Sequence, residues 1–169
     1  MGPVDPEMAV LCNRELIRNG VDLDLGTTVT AVRPRGDGLD VALSSGKTLS
    51  CGLVLLATGV RPETRLAAEA GLELGPTGGI LVDATMRTSD PAIWAAGDVV
   101  EVRDLVTGAP ALLPLAGPAT RQGLTAADAI LGRDGAYRGT QGTAICKVFE
   151  LTIAMTGQSE KSLRRLGRP

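Results

Sequence analysis

Thr88-Ser89-Asp90-Pro91-Ala92-Ile93-Trp94-Ala95-Ala96-Gly97-Asp98 is the stretch on which the fold reading turns. The run from Ile93 to Ala96 follows a polar turn, Met86–Pro91, and ends at Gly97-Asp98. Such a run predicts a strand buried on both faces, the kind parallel sheets contain. A strand that ends in Gly-Asp sets a carboxylate at the carboxyl end of a sheet, where open α/β folds bind ligands. Gly97 lets a ligand approach the backbone. The Asp98 carboxylate only accepts hydrogen bonds, which suits a polyhydroxyl chain. An Asp after a strand is also commonly an N-cap or an Asx turn, and the residues alone leave both readings open.

Working outward, Leu115-Ala116-Gly117-Pro118-Ala119 opens a segment whose spacing predicts a helix over Pro118–Leu131, stopped by Gly132. A helix start offers unpaired N–H groups and the positive end of the dipole, which favour a ligand atom that gains negative charge. Upstream, Leu53-Val54-Leu55-Leu56-Ala57 is apolar throughout, reads as a second doubly buried parallel strand, and stops at Thr58-Gly59. The small residues Ala57, Thr58 and Gly59 permit close approach of a cofactor, and they equally make a plain crossover turn. Arg61 suits a phosphate or a carboxylate such as Glu63.

The rest of the chain supplies connecting elements. Asp5-Pro6-Glu7 starts a helix that runs to about Asn19, with Asp5 as N-cap, Gly20 as left-handed cap, and Met8, Leu11 and Leu16 on one face. Val21–Leu25 alternates as a short strand. A meander follows: Thr27–Arg33, then Leu39, Val41 and Leu43, then Leu49, Cys51 and Leu53, joined at Gly36-Asp37-Gly38 and Ser44-Ser45-Gly46. Thr64–Ala70 is a short helix capped by Gly71, Gly78-Gly79 is hinge-like, and Ile80–Asp83 is a strand. Val99–Leu112 holds a loop or small hairpin. Thr143–Thr156 reads as a strand region turning at Gly157, and Ser159 caps a helix reaching Leu166. A boundary between lobes falls near residues 70–79.

Composition excludes several classes of function. The 169 residues carry a net charge of −2 with no basic run, and the aromatics are Trp94, Tyr137 and Phe149 alone, so nucleic acid and anionic membranes are not expected partners. No stretch approaches the roughly 18 apolar residues of a spanning helix. The opening Met1-Gly2-Pro3-Val4-Asp5 is not a signal peptide and reads as mid-domain sequence. Cys12, Cys51 and Cys146 are widely spaced, without a CxxC, which points to a reducing cytoplasm and no metal site; each reads as a small buried hydrophobe. Histidine is absent, which removes the commonest general base.

Thr88–Asp98 resembles the second FAD signature of the pyridine nucleotide–disulfide oxidoreductases. The resemblance implies that Ala96, Gly97 and Asp98 meet the flavin, with Asp98 on the ribityl hydroxyls. It implies that the helix beginning at Leu115, Ala116 and Ala119 approaches the pyrimidine end of the ring. Leu55–Thr64 is similar to the family's exit from the NAD(P)H domain, which puts the Ala57-Thr58-Gly59 backbone near the nicotinamide. Gly142–Phe149 through Met155-Thr156-Gly157 resembles the start of the family's dimerisation domain, in wording closest to the coenzyme A-disulfide reductase, NADH oxidase and persulfide reductase branch.

The implied fold class is α/β: part of an FAD/NAD(P)-binding Rossmann-like fold with a three-stranded meander, plus the start of an α+β dimerisation domain. The implied division is 1–70 (NAD(P)H-binding), 71–138 (FAD-binding) and 139–169 (dimerisation). Implied cofactors are FAD and NAD(P)H, and implied partners are a second copy or a complementing N-terminal half. No GxGxxG motif is present, none of the cysteines matches the family's redox cysteine, and Thr120 stands where some coenzyme A-disulfide reductases carry histidine. The chain alone is therefore expected to be redox-inactive, with no catalytic residue of its own. A non-catalytic nucleotide-binding or oligomerisation module is the alternative.

Overall fold

The structure, a computed structural model, describes residues 4–168, so the reading of Met1-Gly2-Pro3 lies outside the described residues. The described residues form two compact units, one of residues 13–59 and one of residues 4–12 with 60–168, dividing at Gly59 rather than in the 70–79 stretch.

The smaller unit is the meander. Strands β1 (Val29–Arg35), β2 (Gly38–Leu43) and β3 (Thr48–Cys51) form one antiparallel sheet in the order β1-β2-β3. Gly36 and Gly46 take φ of 58° and 87° at the two turns, where a side chain is strained. Alternation buries Val41 and Leu43 on one face of β2, while Asp40 on the other holds Arg35 at 2.9 Å. The β1–β2 register shifts between Val29 and Ala31, a bulge beyond which Val29 still pairs with Leu43. Val21–Leu25 is not a strand: a turn forms at Leu25-Gly26, and Lys47 pairs with Asp24 at 2.9 Å.

Leu53–Ala57 is not a strand either. No described residue pairs with it, and Leu53, Leu55 and Leu56 are 81%, 84% and 74% exposed. An apolar run becomes a buried strand only when neighbours accept and donate along both edges and cover both faces. Among the described residues no such neighbour exists.

In the larger unit the helices fall close to their predicted places. Helix α1 (Pro6–Arg18), whose second half is counted with the smaller unit, closes with Gly20 at φ 78°, Gly20 N–H on the Ile17 carbonyl and Val21 N–H on the Leu16 carbonyl, both at 3.0 Å. The buried residues of α1 are Ala9 and Cys12, whereas Met8 and Leu11 are exposed, which corrects the expected apolar face. Helix α2 (Arg65–Glu69) ends before Gly71 at φ 77°. A two-residue hairpin, β4 (Val102–Arg103) with β5 (Pro110–Ala111), precedes α3 (Ala116–Ile130), and β6 (Ala144–Val148) pairs with β7 (Leu151–Met155) before α4 (Glu160–Arg165).

Ile93–Ala96 is half-buried and joined to the chain by a single antiparallel bridge, Arg87 to Trp94; it is not a full strand. Among the described residues, parallel pairing is confined to two isolated bridges, Ile80 to Val100 and Asp104 to Thr140. The core beneath them is Met86, Val100, Val102 and Ala126, with Trp94, Val99 and Leu113 packed against it.

Two carboxylates hold the larger unit together over long sequence distances. Asp5 does not cap its own helix with its side chain. Its carboxylate accepts from the backbone N–H of Lys161 at 3.1 Å and of Glu160 at 3.0 Å, capping α4 from the other end of the sequence. Those backbone N–H groups, Lys161 first, hold the Asp5 carboxyl below its ordinary value. Asp104 is 2% exposed. Its Oδ1 accepts from Val106 N, Thr107 N and Thr107 Oγ1, and its Oδ2 accepts from Gln158 Nε2 at 2.6 Å. Burial alone would raise the Asp104 carboxyl, but the hydrogen bonds from Thr107, Val106 and Gln158 outweigh it and hold it below 3.8.

Two outcomes are expected. Asp104→Ala leaves buried donors unmatched and costs about 2–3 kcal/mol in a thermal or urea melt at pH 7. Because the folded-state pKa is depressed, the wild-type contribution is complete above the unfolded carboxyl value and is lost as pH falls through the folded one. The wild-type advantage over Asp104→Ala therefore shrinks in melts taken below about pH 4. Separately, a Cβ on Gly79 would lie 2.7 Å from both Glu101 N and Leu112 Cδ2, so Gly79→Ala is expected to lower stability by about 1–3 kcal/mol in the same melts.

Candidate functional site

The site begins with a turn. Gly97 adopts φ 93°, and the Val100 N–H returns to the Gly97 carbonyl at 3.2 Å. Only a residue without Cβ takes this conformation readily, and a Cβ there would meet no atom within 4 Å, so the requirement is conformational. The turn lifts Asp98 into solvent between half-buried Ala96 and fully buried Val100. The Asp98 carboxylate accepts no hydrogen bond from any described residue.

Helix α3 is tied to that turn by one side chain. Gln122, 2% exposed, accepts the Gly97 N–H on Oε1 at 2.7 Å. At the helix start Leu115 sits in extended conformation with no side-chain cap. Ala119 N–H is the first to reach back, to the Leu115 carbonyl at 3.0 Å. Pro118 has no N–H, which leaves Ala116 and Gly117 as the open donors of the first turn. Ala116 is exposed, and Leu115 and Ala119 are half-buried. Thr120 turns its hydroxyl back to the Ala116 carbonyl at 2.9 Å.

Of the residues singled out from the sequence, Ala96, Gly97, Asp98, Leu115, Ala116 and Ala119 thus belong to one unit, joined through Gln122. Ala57, Thr58 and Gly59 are exposed and belong to the other unit, with Gly59 at φ 102°. Arg61 does not pair with Glu63; the Glu63 carboxylate takes the Arg65 N–H at 3.2 Å. A cleft of about 860 Å³ runs along α3, past Gly117, Arg121, Leu124 and Asp128 to residues 136–143, and neither Gly97 nor Asp98 lines it. Gln122 escaped the sequence reading because nothing local marks a glutamine in an amphipathic helix as the partner of a backbone group 25 residues away.

The cysteines depart from expectation in part. Cys12 is buried, Cys51 is half-buried and Cys146 is exposed on β6. Among the described residues no group of three His, Cys, Asp or Glu is placed to hold a metal, and no helix is long and apolar enough to cross a membrane.

The sequence profile of the family described as pyridine nucleotide-disulphide oxidoreductase matches residues 1–123. The chain belongs to this family. Among curated relatives, this family member is 31% identical over 153 residues to the CoA-dependent NAD(P)H sulfur oxidoreductase of Pyrococcus furiosus, covering 90% of this chain and 34% of the relative. Among solved structures it is similar to the reduced CoADR-RHD of Bacillus anthracis, at 45% identity and TM-score 0.93, over 100% of this chain and 30% of that one. It is also similar to an FAD-dependent pyridine nucleotide-disulphide oxidoreductase from Desulfovibrio vulgaris, at 36% identity and TM-score 0.93, over 98% of this chain and 42% of that one. This chain thus spans about a third of the length of the curated relatives it matches.

The exposures predict a labelling order. With a maleimide under native conditions, Cys146 reacts first, Cys51 more slowly, and Cys12 only on unfolding; a native Cys12 adduct found by peptide mass spectrometry would contradict the burial described.

Proposed function

We propose that this chain is the portion of an FAD-dependent NAD(P)H oxidoreductase that receives the ribityl chain and ring end of the flavin. The observation that carries the proposal is Asp98: a solvent-facing carboxylate without a partner among the described residues, held on a left-handed glycine turn that is bolted to an uncapped helix. The residues fit the group. Asp98 accepts from ribityl hydroxyls, while Ala96 and Gly97 leave the turn open. The Ala116 and Gly117 N–H groups and the α3 dipole favour negative charge at the ring. Leu115 and Ala119 flank that end. Ala57, Thr58 and Gly59 lie along the nicotinamide nucleotide in the same reading.

Bound there, FAD supplies a carrier between NAD(P)H and the acceptor. Among a disulfide, a persulfide and dioxygen, a sulfur acceptor has the support of the Pyrococcus relative. The division into 1–70, 71–138 and 139–169 as NAD(P)H-binding, FAD-binding and dimerisation portions belongs to this proposal, as does a cytoplasmic location. So do the partners: the bare Leu53, Leu55 and Leu56 call for cover from a complementing N-terminal half or a second copy. The exposed Ile145 on β6, in the portion read as dimerising, supports the second copy and also the alternative of a non-catalytic oligomerisation module.

The test is flavin fluorescence quenching on the purified chain, with size read by light scattering. Saturable quenching is expected with FAD and, at similar affinity, with riboflavin, because the residues named contact only what the two share. Asp98→Ala should raise the dissociation constant about tenfold or more, the scale of a lost charge-assisted hydrogen bond. An oligomer that binds neither flavin would overturn the flavin reading and favour the module.

A further inference from the structure

Gln122 has an unspent donor. Its Oε1 faces the Gly97 N–H at 2.7 Å, and because that N–H can only donate, the orientation of the carboxamide is settled. Its Nε2 therefore points the other way, and no described residue accepts from it. A donor left unmatched inside a protein costs stability, and such atoms are rare. Among the described residues, the unmatched side-chain polar atoms fully sealed from solvent are Trp94 Nε1 and Tyr137 Oη. Gln122 Nε2 is not among them, although the residue as a whole is only 2% exposed. The unpartnered N–H₂ group of this buried side chain is thus not fully sealed from solvent.

We propose that Gln122 is a ligand-binding residue as well as the bolt of the turn, its Nε2 donating to a ligand oxygen beside Asp98. The inference rests on the flavin reading and deepens it. A ribityl hydroxyl both donates and accepts. Asp98 can satisfy only the donating half, since a carboxylate has no proton to give. Gln122 Nε2 supplies the missing donor from the other side of Gly97. The pair reads a polyhydroxyl chain, whereas a carboxylate alone would serve equally for a cation.

Gln122→Glu separates the bolt from the contact. At pH 8 the carboxylate still accepts the Gly97 N–H but can donate nothing. At pH 5 its protonated fraction restores a donor in the same shape. Riboflavin quenching is measured for wild type, Asp98→Ala, Gln122→Glu and Gln122→Met at both pH values. Each variant is expressed relative to wild type at the same pH, so that the neighbouring Asp98 and Arg121 are common to every comparison. Melts confirm that each variant is folded.

The expected result is a loss of about tenfold in affinity for Gln122→Glu at pH 8, with partial recovery at pH 5, and a loss for Gln122→Met at both. If Gln122→Glu matches wild type at pH 8 while Asp98→Ala is weakened, the flavin reading stands and this inference falls. If wild type does not bind riboflavin, or Asp98→Ala does not weaken binding, the flavin reading itself fails and takes the inference with it. If Gln122→Glu does not fold, Gln122→Met is read in the Asp98→Ala background, where displacement of Asp98 can no longer matter: a further rise in the riboflavin dissociation rate of the folded double variant supports the contact, and no further rise overturns it.

Discussion

One part-buried hydrogen bond, from the Gly97 N–H to Gln122 Oε1, ties helix α3 to the turn on which the candidate site is built. A glycine in the left-handed region leaves its N–H directed away from any ladder, and an unmatched buried N–H is costly. Supplying its acceptor from the middle of α3 fixes where the helix lies against the turn. That attachment joins the middle of α3 to the turn that carries Asp98 and leads into buried Val100. Remote Asp5 and Asp104 act by the same logic elsewhere, each carboxylate gathering backbone donors that local structure leaves unmatched.

What the sequence disclosed was what short-range chemistry decides. The meander was legible because Gly36 and Gly46 mark turns and Leu39, Val41 and Leu43 alternate between them. Helices α1, α2 and α3 were legible because Gly20, Gly71 and Gly132 end them. The family likeness was legible in Thr88–Asp98, and the family is shown. Of the site, the Gly97-Asp98 turn and the α3 start were visible as motifs, while the side chain that joins them was not. Gln122, Asp5 and Asp104 act on groups far away in sequence, and a propensity or a period carries no information about such pairs.

The apolar runs failed for a different reason. Leu53–Ala57 has the composition of a doubly covered strand, and composition registers what a segment needs rather than what lies next to it. With no described neighbour along its edges, it has neither ladder nor cover. Ile93–Ala96 is an intermediate case, since one bridge to Arg87 and packing of Trp94 on the Met86 core leave it half-buried. Cys146 repeats the lesson on a single residue: an apolar context on β6 suggests burial, but a two-stranded hairpin has a face with nothing on it.

The Asp5 clasp on α4 gives the larger unit an unusual path. The chain enters that unit at its first helix, leaves to build the meander, and returns at Val60. On a ribosome the meander, made of neighbouring hairpins, can form as soon as Cys51 has emerged, since its contacts span few residues. The larger unit must wait for Glu160 and Lys161 before its first segment has a seat, and it must then close a loop of more than a hundred residues. Synthesis therefore imposes an order, with the small unit folded while the large one is still waiting for the first turn of α4.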